Sequence, residues 1–281
     1  MKLGVIGSGN MGGAIIKGYS AALYAKQSDG TESAKKLVDA EIIVCDMDLE
    51  KLELVKDLPF VSIAANLDDV VSRSEYLLLA VKPNAFGGLV PEIAASAARV
   101  DNKPVIISIA AGISIGWLEG VLGSDNKVVR VMPNTPAMVG VGMAGLSRNL
   151  SVSDKEFSDV FSVFESIGKA AEVPESLMDT VVGVSGSSPA YAYMYIQALI
   201  ECAVSHGIPE EDARIFAAQT TMGAAKMVLE NSESPEQLRI NVCSPGGTTI
   251  EAVNVLLEKN FMEIVKEGMN AAIAKSEKMT Q

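Results

Sequence analysis

Clustered positive charge is what this 281-residue chain most plainly lacks. Its 23 Lys and Arg are outnumbered by 35 Asp and Glu, the formal charge is −12, and no cluster of five or more basic residues occurs. Nucleic acid and anionic membrane are therefore not expected as partners. A small anion must be held by local backbone dipoles, not by the field of the whole protein. Cysteine is scarce: Cys45, Cys202 and Cys243 stand far apart with no CxxC, which excludes a disulfide framework or a zinc knuckle. Histidine is scarcer still. The one residue, His206, falls beside Gly207 at the end of a helical pattern, where an imidazole suits the helix dipole better than it serves as a base. No Ser-His-Asp set, Cys-His pair or metal-ligand cluster can be assembled. No uninterrupted apolar run reaches about 18 residues. The first strand pattern begins at Lys2, so no leader is expected, and the chain is expected in the reducing cytoplasm. If it is an enzyme, a cofactor must carry the chemistry.

What is present is a core: 48% of residues are apolar, enough for a folded protein of one large or two ordinary domains. Through residue 174, β-branched runs alternate with helical patterns. The strand candidates are 2–7, 41–45, 60–64, 76–81, 104–110, 127–132 and 170–173, apolar on both faces as buried parallel strands are. Helical stretches at 48–57 and 89–99 lie between them, and residues 25–40 read as a solvated insertion. After Pro174 the strands stop. Ser188 as cap and Pro189 at the first turn open a helix running to His206. Further helices are expected from Pro209 to about Glu230, at 235–240, from Thr248 to Glu258 and from Phe261. The expectation is an α/β protein: residues 1–174 form a Rossmann-type, doubly wound, mostly parallel sheet, and residues 175–281 an all-helical second domain. Residues 189–204, PAYAYMYIQALIECAV, are apolar around nearly the whole helix, which demands burial on all sides. Either this is the central core helix of a monomer or it is buried against the same helix of a second subunit. The second reading is favoured, because about 100 residues hardly cover such a helix.

Two loops have the composition of anion cradles. Gly7-Ser8-Gly9-Asn10-Met11-Gly12 follows a strand and opens a helix, the context in which G-x-G-x-x-G holds a dinucleotide pyrophosphate. Asp46 ends the second strand, where an acid bonds the adenine ribose. It lies 34 residues past Gly12 instead of about twenty, a delay the insertion explains. Taken alone, Asp46 and Asp48 favour NAD, since a carboxylate repels a 2′-phosphate. The segments 80–83, 109–112 and 132–136 leave the carboxyl ends of strands, where ligands bind in open parallel sheets. The second cradle, SPGGTT, lies in the helical region. Gly246, Gly247, Thr248 and Thr249 are expected to present consecutive N–H groups to a carboxylate or phosphate. One cradle then serves a cofactor and the other a substrate carboxylate.

The motifs GxGNMG, LLLAVKP, SIAAG, RVMPNTPA, VVGVSGSSPAY, GAAKMVLE and VCSPGGTTIEAV resemble, in order and spacing, those of pyrroline-5-carboxylate reductases, over essentially the full chain. The resemblance implies reduction of 1-pyrroline-5-carboxylate to L-proline by NAD(P)H, the last step of proline synthesis. It also implies a helical domain that interlocks into a homodimer, often assembled further into decamers. It places Ile6, Gly7, Ser8, Gly9, Asn10 and Met11 on the pyrophosphate and Ala80, Val81, Lys82, Pro83, Ile109, Ala110 and Ala111 on cofactor-contacting turns. Asn66 falls on the adenosine side and Asn241 near the nicotinamide ribose. Thr248 and Thr249 match the substrate-binding pair, with the Thr249 hydroxyl at the ring nitrogen. The family mostly prefers NADPH, so NADP is the nominal cofactor and NAD the alternative. Ile240 departs from the family pattern, which often has Asp there. A β-hydroxyacid dehydrogenase shares this architecture but uses a Lys on the first long helix of its second domain, and residues 189–206 contain none. A redox sensor without turnover has no need of the second cradle.

Overall fold

The computed structural model describes residues 1–28 and 39–280. Most of the expected polar insertion, at 29–38, lies outside the described residues. By packing, the chain divides into two compact units: Met1–Gly186 with Ala272–Gln281, and Ser187–Ala271.

The first unit is built on one eight-stranded sheet in the order β3-β2-β1-β4-β5-β6-β7-β8. The strands are β1 (Lys2–Ile6), β2 (Glu41–Cys45), β3 (Val61–Ile63), β4 (Tyr76–Leu79), β5 (Val105–Ser108), β6 (Val128–Met132), β7 (Gly142–Arg148) and β8 (Gly168–Glu172). The first six follow the 3-2-1-4-5-6 order of a dinucleotide-binding sheet, and all five pairings among them are parallel. The helices flanking the sheet are α1 (Asn10–Ser28), α2 (Leu49–Glu53), α3 (Leu67–Arg73), α4 (Phe86–Ala97), α5 (Ile115–Leu122), α6 (Asp154–Glu165) and α7 (Met178–Val181). Two apolar cores form on the two faces, one around Leu3, Ile15 and Phe164, the other around Ile43, Phe86 and Ile93. Central strands are buried on both faces, as their unbroken apolar runs require. The edge strands β3 and β8 are not; each is largely half-exposed.

Strand β7 departs from the sequence expectation. It pairs antiparallel with β6 and parallel with β8, in a stretch where Gly and Ala hide the strand pattern. Packing demands those small residues. A Cβ on Gly145 would stand 2.9 Å from Val181 Cγ1, and one on Gly142 would stand 2.8 Å from Ala137. The helix expected at 48–57 is also shorter: only α2 forms, capped by Asp48, whose side chain accepts from Glu50 N–H.

The packing division falls beyond Pro174. Met178 is 1% exposed and Val181 packs against Gly145 of β7, and the chain then runs through a π-helical turn, Val182–Gly186, before the second unit begins. The end of the chain, from Ala272, belongs again to the first unit, where Ser276 Oγ and Thr280 Oγ1 donate to Asp179 Oδ1 at 2.5 and 3.0 Å.

The second unit contains α8 (Ser188–Ser205), α9 (Glu210–Glu230), α10 (Pro235–Asn241), α11 (Thr248–Glu258) and the start of α12 (Phe261–Met279). The cap of α8 is Ser187, not Ser188, and Ser187 makes no side-chain capping bond. The reason is the preceding π-turn: Ser187 already has helical φ and ψ of −92° and −26°, outside the extended geometry an N-cap needs. No residue of α8 is buried within the chain; Tyr193 and Met194 are 60% and 70% exposed. Ala213 and Ala217 of α9 are buried. The core-helix reading of α8 therefore fails for the single chain.

Candidate active site

The glycine-rich loop leaves β1 at the carboxyl edge of the sheet. Gly7 has φ +98°, and a Cβ there would lie 2.7 Å from the Ala80 carbonyl oxygen; only glycine fits. A Cβ on Gly12 would collide with the Gly7 carbonyl oxygen, so helix α1 packs against the loop only because Gly12 has none. Gly9 is different. A Cβ there would find no atom within 4 Å, so the bare backbone leaves open space in front of the N-terminus of α1, where N–H groups have no helical acceptors. That space fits a pyrophosphate.

Backbone bonds draw the neighbouring loops to this one. Gly7 N–H donates to the Cys45 carbonyl at 2.8 Å, Ala80 N–H to Ile6 O at 2.8 Å and Ile109 N–H to Leu79 O at 3.4 Å. The ends of β2, β1, β4 and β5 thus line one edge with Ile6–Met11, Asp46, Ala80–Pro83 and Ile109–Ala111. Ala110 is buried, while Lys82 and Pro83 are exposed where a 3₁₀ turn, Pro83–Ala85, begins. Asn66 stands after β3 and caps α3, accepting from Asp69 N–H at 2.9 Å.

Asp46 is engaged in a way its position in the sequence does not announce. Its Oδ2 accepts from Ser8 N–H at 2.6 Å and from Ser8 Oγ at 2.9 Å, and its Oδ1 accepts from Asp48 N–H at 2.9 Å. The carboxylate latches the glycine-rich loop to the end of β2. Burial pushes its pKa up, but the bonds from Ser8 and Asp48 outweigh this and hold it below the ordinary carboxylate value.

The second cradle belongs to the other unit. Asn241 ends α10 and is already bonded: its amide donates to Glu233 Oε2 at 3.0 Å and its oxygen accepts from Gln237 at 2.8 Å. Gly246 has φ +67° and turns the chain so that Gly247 N–H donates to Ser244 O at 3.0 Å. This corrects the expectation of four consecutive donors, because the Gly247 N–H is spent within the turn. Among the described residues, no backbone acceptor takes the N–H of Gly246, Thr248 or Thr249. Thr248 and Thr249 form the exposed first turn of α11.

Sequence reasoning flagged the 132–136 loop but not its partner. Asn134, after β6, reaches the π-turn at Ser185. The only sequence signal was the pair of prolines that fixes the path of the loop.

Over 280 residues the chain is 40% identical to pyrroline-5-carboxylate reductase of Escherichia coli, covering 100% of this chain and 98% of that one. The chain belongs to the pyrroline-5-carboxylate reductase family. A family profile described as "Pyrroline-5-carboxylate reductase dimerisation" matches residues 175–279. Another, "NADP oxidoreductase coenzyme F420-dependent", matches residues 2–112. The solved pyrroline-5-carboxylate reductase of Coxiella burnetii superposes with a TM-score of 0.87 at 30% identity, covering 99% of this chain and 98% of that chain. The Plasmodium falciparum pyrroline carboxylate reductase, solved with NADP bound, does so with a TM-score of 0.82 at 29% identity, covering 100% and 98%. As a member of this family the chain is an NAD(P)H-dependent oxidoreductase that self-associates through its helical region. Among the described residues no helix is long and apolar enough to cross a membrane.

Proposed function

We propose that this chain reduces 1-pyrroline-5-carboxylate to L-proline, the last step of proline synthesis, in the cytoplasm. The observation that carries the reading is the full-length identity to the Escherichia coli reductase, supported by a glycine-rich loop with room for a pyrophosphate. Functionally, residues 1–174 bind the dinucleotide, and residues 175–281 bind the substrate and a second copy of the chain. The assembly unit is a homodimer, from which a decamer is built.

Bound NAD(P)H supplies the hydride that reduces the imine carbon. The chain's own contribution is position. Ile6–Met11 hold the pyrophosphate, and Asp46 and Asn66 lie on the adenosine side. Ala80, Val81, Lys82, Pro83, Ile109, Ala110 and Ala111 line the cofactor, with Asn241 at the nicotinamide ribose. The N–H groups of Gly246, Thr248 and Thr249 hold the substrate carboxylate, with the Gly247 N–H closing the turn that Gly246 makes. The Thr249 hydroxyl bonds the ring nitrogen, which must carry a proton for its carbon to accept hydride. That proton arrives with the iminium form of the substrate or from water, so the chain need supply no strong acid, only near-attack geometry for the hydride.

The test is consumption of NAD(P)H with 1-pyrroline-5-carboxylate. Thr249→Val deletes one hydrogen bond to a charged group, about 1.5–3 kcal/mol, and lowers kcat/KM about 10- to 150-fold. Cofactor affinity stays unchanged, and Thr249→Ser retains most of the activity. A variant that loses cofactor affinity and spares the substrate overturns this placement of the second loop.

A further inference from the structure

The loop after β6 and the π-turn Val182–Gly186 are joined by one side chain. Asn134 Nδ2 donates to the Ser185 carbonyl at 3.2 Å and to Ser185 Oγ at 3.3 Å, while Asn134 Oδ1 accepts from Met143 N–H at 2.9 Å. The Met143 bond fixes which end of the carboxamide is oxygen, so the nitrogen faces Ser185. π-Turns are rare and concentrate at functional sites. This one is held at the carboxyl end of β6: a Cβ on Gly186 would stand 2.6 Å from Met132 Cε. Met132 pairs with Gly145, against which Val181 packs. The neighbouring strand β5 ends in the 109–111 turn at the same edge.

A hydroxyl oxygen that accepts from an amide N–H directs its own proton elsewhere. Ser185 is 8% exposed, and among the described residues no acceptor receives its proton; its Oγ takes part only in the bond from Asn134. Buried hydroxyls seldom leave a donor unused.

We propose that Asn134 is a positioning residue that sets the Ser185 hydroxyl to donate a hydrogen bond to a carbonyl-type oxygen of the bound reactants. That oxygen belongs to the nicotinamide carboxamide or to the carboxylate of the cyclic imine. The proposal rests on the reductase reading above. It makes the π-turn part of the binding surface and explains why the loop with two prolines carries an asparagine between them.

Two variants of the full-length chain test it, Ser185→Ala and Asn134→Asp. The second keeps the acceptor for Met143 N–H but removes the donor, so the Ser185 proton turns to the new carboxylate. Ser185→Ala lowers kcat/KM about 3- to 10-fold, the effect of one neutral hydrogen bond, with its thermal melt preserved. Asn134→Asp lowers it at least as far. The double variant is no worse than Asn134→Asp alone, because both changes remove the same bond. A weakened NAD(P)H Kd by fluorescence titration assigns the acceptor to the carboxamide. A raised KM for the imine at unchanged Kd assigns it to the substrate carboxylate. Ser185→Ala with both Kd and kcat/KM within about twofold of wild type overturns the proposal, as do losses that multiply in the double variant. A wild-type chain inert toward the imine overturns the reductase reading instead, and the NAD(P)H Kd of Ser185→Ala still decides the carboxamide arm.

Discussion

Asp46 combines two jobs that substitution separates. It latches Ser8 through Oδ2, and it places a negative charge beside the loop, where the 2′-phosphate of NADPH would meet it. Asp46→Asn removes the charge but keeps an acceptor for Ser8. Asp46→Ser removes both. A pair of unit charges about 4 Å apart interacts by about 1 kcal/mol in water and about 4 kcal/mol near a protein surface. The Asp46 side chain is only partly buried, so relief of about 1–2 kcal/mol applies, or about a 5- to 30-fold shift of the kcat/KM ratio toward NADPH. Both variants gain that shift. They part in stability, because Ser8 is 5% exposed and the serine variant strands its N–H at a cost of about 1–3 kcal/mol. For a chain of this size that lowers Tm by about 2–12 °C. The pKa of Asp46 is depressed on folding, so the latch contributes above the ordinary carboxylate pKa and is lost as pH falls through the lowered value. The Tm gap between wild type and Asp46→Ser should therefore stand at neutral pH and narrow in acid. The assays are steady-state kinetics with both dinucleotides and calorimetry across pH. An unchanged cofactor ratio in Asp46→Asn refutes the charge argument, and an unchanged Tm in Asp46→Ser refutes the latch.

Two further outcomes follow from packing. Gly112→Ala should weaken NAD(P)H binding and lower Tm together, since Gly112 has φ +76° and a Cβ there would stand 2.9 Å from the Met279 carbonyl oxygen; an unaltered fluorescence titration counts against the 109–111 turn as a cofactor contact. Tyr193→Asp, on a helix with no residue buried in its own chain, should break self-association at a cost of several kcal/mol if that face is covered by a second copy; light scattering that finds wild type already monomeric and well folded at micromolar concentration refutes the dimer.

Legibility in the sequence tracks how local each requirement is. Strands β1, β2, β4, β5 and β6 announce themselves because a buried parallel strand needs apolar side chains on both faces. Strand β7 does not, because its constraint comes from outside it: Val181 and Ala137 leave no room for side chains at Gly145 and Gly142. The glycine-rich loop is legible because turn, close approach and helix start all act within six residues. SPGGTT is legible for the same reason, yet the loss of the Gly247 N–H to Ser244 is not, since it depends on the φ that Gly246 adopts.

Pairings across the chain leave the weakest trace. Asp46 was recognisable as an acid at the end of β2, and that position suggested a ribose contact. Its bonds to Ser8 arise only once β1 and β2 lie side by side with Ile6 opposite Cys45, which brings residues 38 apart into contact. Asn134 and Ser185 are 51 apart, and neither type of residue is distinctive alone. The apolar circumference of α8 shows the limit from the other side. One chain's sequence states that the helix must be covered, because exposed Tyr and Met on such a scale cannot stay in water. If the covering surface lies on another copy of the same sequence, the need is written into the chain and the partner is supplied by symmetry.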